Sequence, residues 1–117
     1  MTAQAALRCG AGLVVSGIPE SLNPIIESKL TETLSLPVSE TKQGTFCAES
    51  FSDARERIDW SDVIVFGPGV SSSTDVRDFG IALVQSTQKP FIVDADGLRI
   101  FHHNLNLIND IEDLIIT

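Results

Sequence analysis

The chain has 117 residues, 43% of them hydrophobic and 21% charged, with a formal charge of −8. That length buries a real core as one domain, and eight scattered Lys and Arg exclude a nucleic-acid or anionic-membrane surface, which needs clustered cations. No stretch approaches the roughly 20 apolar residues of a membrane helix or has the pattern of a signal peptide, and Cys9 and Cys47 lie far apart without a CxxC or a metal-spaced His, so the expectation is a soluble, cytoplasmic protein with reduced thiols.

In chain order, AQAALRCGAG predicts a short Ala-rich helix ending at Gly10 or Gly12, and LVVSGI a small strand. PESLNPIIESKL places Leu22, Ile25, Ile26 and Leu30 at helical spacing, with Pro19 suited to the first turn and Pro24 marking the true start or a kink. LSLPV is a short strand and SETKQGT a polar loop around Gly44. AESFSDARERI offers Phe51, Ala54 and Ile58 on one helix face. DVIVF is a continuous β-branched run, as in a strand buried on both faces. STDVRDFGIALVQSTQ sets Val76, Phe79, Leu83 and Val84 on one face; PFIVDAD is a second buried strand. GLRIFHHNLNLI predicts a helix burying Leu98, Phe101, Leu105 and Ile108, and DLIIT is a last strand. Trp60 and Phe51 are expected to close the edge of the core.

Strands alternating with helices predict a parallel sheet with right-handed crossovers. Ligands in that architecture bind outside the carboxyl ends of the strands, here Gly17, Phe66 onward, Asp94 onward and beyond Thr117. A first helix without a strand before it, and a last strand with nothing after it, read as part of a larger α/β domain.

Two corners carry the chemistry. In FGPGVSSSTD, Gly67 and Gly69 permit positive φ and leave room for a close ligand, Pro68 stiffens the turn, and Ser72, Ser73 or Thr74 caps the next helix. A phosphate or polar group can sit on the backbone N–H groups there; a tight, well-capped strand-to-helix turn explains the same residues. In IVDADGL, Asp94 and Asp96 stand at a strand's carboxyl end. They can accept hydrogen bonds from substrate hydroxyls or hold Mg²⁺ through water; alternatively Asp96 caps the helix of Leu98 while Asp94 accepts backbone N–H bonds. His102 and His103, adjacent late in a helix, point about 100° apart and form no joint metal site; they suit the helix dipole.

The stretches AALRCGAGLV, LSLPVSETKQGT, DVIVFGPGV and PFIVDADGL, in this order and spacing, resemble the ADP/ATP-dependent NAD(P)H-hydrate dehydratase family of the ribokinase-like superfamily, over the chain from Ala5 to Thr117. The resemblance implies a three-layer, parallel-sheet ribokinase-like α/β fold, incomplete here, with residues 1–117 a partial domain. It implies repair of hydrated NADH or NADPH: the hydroxyl on the damaged ring is phosphorylated by ADP or ATP with Mg²⁺, and phosphate is eliminated. By the same resemblance Gly67, Pro68, Gly69, Val70 and Ser71 face the substrate, with Asp94 and Asp96 beside the crevice. Ser71 stands where the family has a further Gly. The family's catalytic-base motif has no counterpart among these residues, so no catalytic residue is assigned, no protein metal ligand either, and the piece alone is expected to be inactive. Two alternatives stand beside it: a sugar or vitamin-precursor kinase of the same superfamily, and a non-catalytic, degenerate half-domain. As partners, a small-molecule substrate is expected without nucleic acid or membrane, and a homo-oligomer or the rest of the domain completes the exposed DLIIT edge.

Overall fold

A computed structural model describes residues 1–117, the side chain of Asp110 apart. Five short strands, all in parallel pairs, form two sheets. β1 (Val15–Pro19) pairs with β2 (Leu34–Val38), from Val15 opposite Leu34 to Pro19 opposite Val38. β3 (Ile64–Phe66), β4 (Phe91–Val93) and β5 (Leu114–Ile116) lie side by side in chain order. Their register aligns Val65, Ile92 and Ile115 in one row.

The helices are α1 (Thr2–Arg8), α2 (Asn23–Lys29), α3 (Ala48–Trp60) and α4 (Thr74–Ser86), with 3-10 turns at Glu20–Leu22, Ala95–Phe101 and Leu105–Asp110. Pro24 sits in the first turn of α2, where a missing N–H costs nothing, so it marks the start rather than a kink. α4 buries Val76, Phe79, Leu83 and Val84, the face its spacing predicts. It also buries Gly80, where an added Cβ would come within 2.5 Å of Ile100 Cγ2 and 2.7 Å of Phe66 Cε1. That small residue lets the Ala95–Phe101 segment press against the helix.

One apolar core joins the two sheets. Phe46, after β2, stacks on Phe79 of α4 with centroids 4.7 Å apart, and Phe79 meets Phe66 of β3 at 6.0 Å. Offset aromatic contacts of this kind add about 1 kcal/mol beyond area burial. Ser50 of α3 is fully buried and satisfied: its hydroxyl donates to the Ser39 carbonyl at 2.5 Å and accepts from the Cys47 N–H at 2.8 Å.

The structure corrects several expectations. The sheet is split in two. The continuous helix expected over GLRIFHHNLNLI is two 3-10 segments interrupted at His102–Asn104, with His103 at φ 65. That interruption abolishes the 3.6-residue register: Ile100, Phe101 and Leu107 enter the core and Leu105 is exposed. α2 buries none of its residues, and Trp60 is half exposed, while Phe51 packs on the core as expected. β3 is covered on one face only; Val63 and Val65 are exposed. Among the described residues no helix is long and apolar enough to cross a membrane.

Candidate functional site

The carboxyl ends of β3 and β4 bring the two glycine- and aspartate-bearing corners together. Phe66 ends β3, and Gly67 to Val70 close a turn in which the Val70 N–H donates to the Gly67 carbonyl at 3.2 Å. Gly69 has φ 78 at the third position, as a type II turn with Pro68 second requires. After β4, the Asp94 N–H donates to the Phe66 carbonyl at 3.1 Å, and the Gly97 N–H returns to the Asp94 carbonyl at 3.0 Å.

The two glycines of the first turn do different things. Gly67, at φ 128, lies so close to the second corner that a Cβ there would overlap the Asp94 carbonyl oxygen and approach the Gly97 nitrogen to 2.8 Å. Gly97 reciprocates: its Cβ would sit 2.7 Å from the Gly67 Cα and from the Phe66 oxygen. The corners are therefore joined backbone to backbone. Gly69 has nothing within 4 Å of its missing Cβ, so its surface is open to a ligand. Gly97 gives no periodicity signal in the sequence; the clue is a glycine in one strand-end corner facing a glycine in the next.

Val70 is half-buried and packs against the core. Ser71 adopts φ 78, the left-handed region that favours glycine. Ser73 then caps α4, its hydroxyl accepting from the Val76 N–H at 3.3 Å. In the second corner the cap belongs to Asp94, whose Oδ1 accepts from the Ala95 N–H at 2.6 Å, and not to Asp96. Asp96 instead faces Arg99 at 3.6 Å. One oxygen of Asp94 is engaged by backbone, and its partly exposed carboxylate keeps the other. The Thr117 N–H donates to the Val93 carbonyl at 3.1 Å, so the end of β5 lies beside this corner.

The polar SETKQGT loop lies at the carboxyl ends of the other sheet and is held by contacts to Ser21 and within itself. Glu40 accepts from the Ser21 N–H at 3.2 Å and from its hydroxyl at 2.8 Å, and Thr41 and Thr45 share a hydroxyl bond of 2.8 Å. His102 caps the carboxyl end of the Ala95–Phe101 segment and His103 follows it in the turn, with ring centroids 3.9 Å apart. Among the described residues no three His, Cys, Asp or Glu side chains gather as metal ligands. Beside Ser71 a cleft of about 340 Å³ opens between the start of α4 and the Ala95–Phe101 segment; Arg77, Arg99 and His102 line it with Ser72, Ser73 and Thr74.

A family model described as NAD(P)H-hydrate dehydratase matches residues 1–117. The bifunctional NAD(P)H-hydrate repair enzyme Nnr of Moorella thermoacetica is 35% identical over 99 residues, which cover 85% of this chain and 19% of that protein. The Nnr of Escherichia coli K12 is 33% identical over 108 residues, covering 89% of the chain and 18% of its own. The ATP-dependent (S)-NAD(P)H-hydrate dehydratase of Aedes aegypti is 29% identical over 115 residues, covering 96% and 33%. The chain thus spans about a fifth of the bifunctional relatives and a third of the mosquito dehydratase.

Proposed function

Because the chain belongs to the NAD(P)H-hydrate dehydratase family, we propose that it forms the substrate side of such an enzyme, within a partial ribokinase-like domain, and takes part in nucleotide-dependent dehydration of hydrated NADH or NADPH. The observation that carries this reading is the union of the two corners: Gly67 against Gly97 fixes the backbone, while Gly69 and a carboxylate oxygen of Asp94 stay open beside each other's turns. On this reading Gly67 and Pro68 hold the turn, and Gly69, with Val70 and Ser71 following, offers a surface without side chains to the nicotinamide half of the substrate. Asp94 accepts a hydrogen bond from a substrate hydroxyl, and Asp96 stands beside the same crevice. Phosphoryl transfer is mostly positioning and charge stabilisation, which such a rigid backbone platform serves.

The nucleotide is ATP, the one named for the mosquito relative, or ADP. These residues do not by themselves hold Mg²⁺: Asp94 is half engaged and Asp96 is paired. An ion of that kind is bound chiefly through the nucleotide's phosphates and water. The chain is assigned positioning and no catalytic base. The exposed row of Val65 and Ile115 supports a further part of the reading, that a second copy or the rest of the domain covers the sheet.

Incubating hydrated NADH with the intact natural polypeptide that carries this sequence, with ATP and separately with ADP, tests the proposal. Recovery of the absorbance of the reduced nicotinamide is the expected outcome, and none is expected from the 117-residue chain alone. No recovery with either nucleotide would replace the reading by a small-molecule kinase or a binding role.

A further inference from the structure

We propose that the cleft beside α4 anchors a phosphate group of the dinucleotide substrate, with Arg77 and Arg99 as its two cationic arms. This rests on the dehydratase reading above and extends it to a specificity-determining subsite. The chain is strongly acidic, yet two of its eight Lys and Arg converge on one cleft from different elements, α4 and the Ala95–Phe101 segment. Their convergence is built in by Gly80, whose lack of a Cβ lets Ile100, next to Arg99, press against α4 one turn beyond Arg77. His102 and the hydroxyls of Ser72, Ser73 and Thr74 complete a lining rich in donors.

Carboxylates stand near both arginines. Arg77 meets Asp78 at 3.2 Å and Arg99 meets Asp96 at 3.6 Å, while Asp75 lies in the first turn of α4. None of the three aspartates lines the cleft. Both pairs are exposed, and such pairs hold weakly. A guanidinium carries five N–H donors in a planar fork, so each arginine retains donors for a phosphate, whose geometry the fork matches. The cleft begins at Ser72, immediately after the Gly67–Ser71 turn. A dinucleotide with its damaged ring at Gly69 and Asp94 therefore has an arginine-lined pocket next to it for its phosphates.

Inorganic phosphate, NAD⁺, NADP⁺ and ATP are titrated separately into the ¹⁵N-labelled intact natural polypeptide that carries this sequence. Binding at the cleft is read by shifts of the Arg77 and Arg99 Nε–H signals. Expected is binding of one or both dinucleotides, tighter than phosphate or ATP, that shifts both arginines. Arg77→Gln and Arg99→Gln should each weaken it roughly fivefold, the worth of one exposed ion pair. Arg55→Gln, on α3 and paired with Asp59, should leave it unchanged. Both tested arginines are substantially exposed, so the variants keep their fold. Absence of shifts with every probe, or an equal loss in Arg55→Gln, overturns the site. ATP or free phosphate binding as tightly as the dinucleotides overturns its assignment to the substrate. Binding is read here without turnover, so this site can fail while nicotinamide recovery succeeds, and the reverse.

Discussion

Gly67 and Gly69 stand two residues apart in one turn, and their substitution separates scaffold from ligand surface. Alanine at 67 forces a Cβ into the Asp94 carbonyl at φ 128; the expected loss is about 3 kcal/mol, in the range of severe backbone and packing conflicts. Alanine at 69 meets no neighbour and carries only the left-handed penalty, about 1 kcal/mol. Urea denaturation of the two variants checks the ranking, and equal losses would refute the assignment. Ser71 already carries that penalty at φ 78. Ser71→Gly should raise stability by roughly 0.5 kcal/mol, the relieved strain less the added freedom of the unfolded chain, read as a higher denaturation midpoint. Asp53 is held by hydrogen bonding to the Ser39 side chain and backbone, which lowers its carboxyl below the usual 3.8. A lowered folded value means stability that is present above 3.8 and is lost as pH falls through the lower value. The stability difference between the wild type and Asp53→Asn should therefore be constant near neutrality and shrink as pH drops below about 3.8; a difference independent of pH would exclude the linkage.

Packing between elements explains where spacing succeeds as a guide and where it does not. The face of α4 is legible because a 13-residue helix keeps one register. Its Gly80 looks like a helix-weakening residue, worth about 1 kcal/mol against alanine. In the structure Ile100 and Phe66 fill the place of its Cβ. Gly80→Ala should destabilise by about 1 kcal/mol net, overpacking outweighing propensity; thermal unfolding decides the sign. The segment after β4 misleads because Leu98, Phe101, Leu105 and Ile108 do fall at helical intervals, yet the turn at His102–Asn104 resets the phase. Its start is governed by Asp94. Asp94→Asn keeps a capping oxygen and most of the stability, whereas Asp94→Ala loses about 1 kcal/mol, and on the proposed function both impair substrate binding.

At the level of the whole molecule, a Cα radius of gyration of 13.5 Å is about that of a compact domain of this length, about 13 Å. Even so, the three-stranded sheet leaves Val63, Val65 and Ile115 uncovered, at 48%, 44% and 56% exposure. A contiguous apolar surface of that kind favours association. Sedimentation of the isolated chain should show a concentration-dependent rise in mass, reduced in a Val65→Thr, Ile115→Thr double variant; a monomer at all concentrations would count against a covered face.

The sequence by itself determined the alternation of strands and helices, the parallel class, the buried stripe of α4 and the two strand-end corners. These follow from periodicity and from the special backbone of Gly, Pro and capping residues, which act within a few positions of the chain. Only the tertiary structure decided that Gly67 serves Gly97 while Gly69 stays open, that Asp94 rather than Asp96 caps, that the sheet divides, and that Arg77 and Arg99 share a cleft. Each depends on a contact between residues on different elements, where close approach of atoms, not local spacing, selects the outcome.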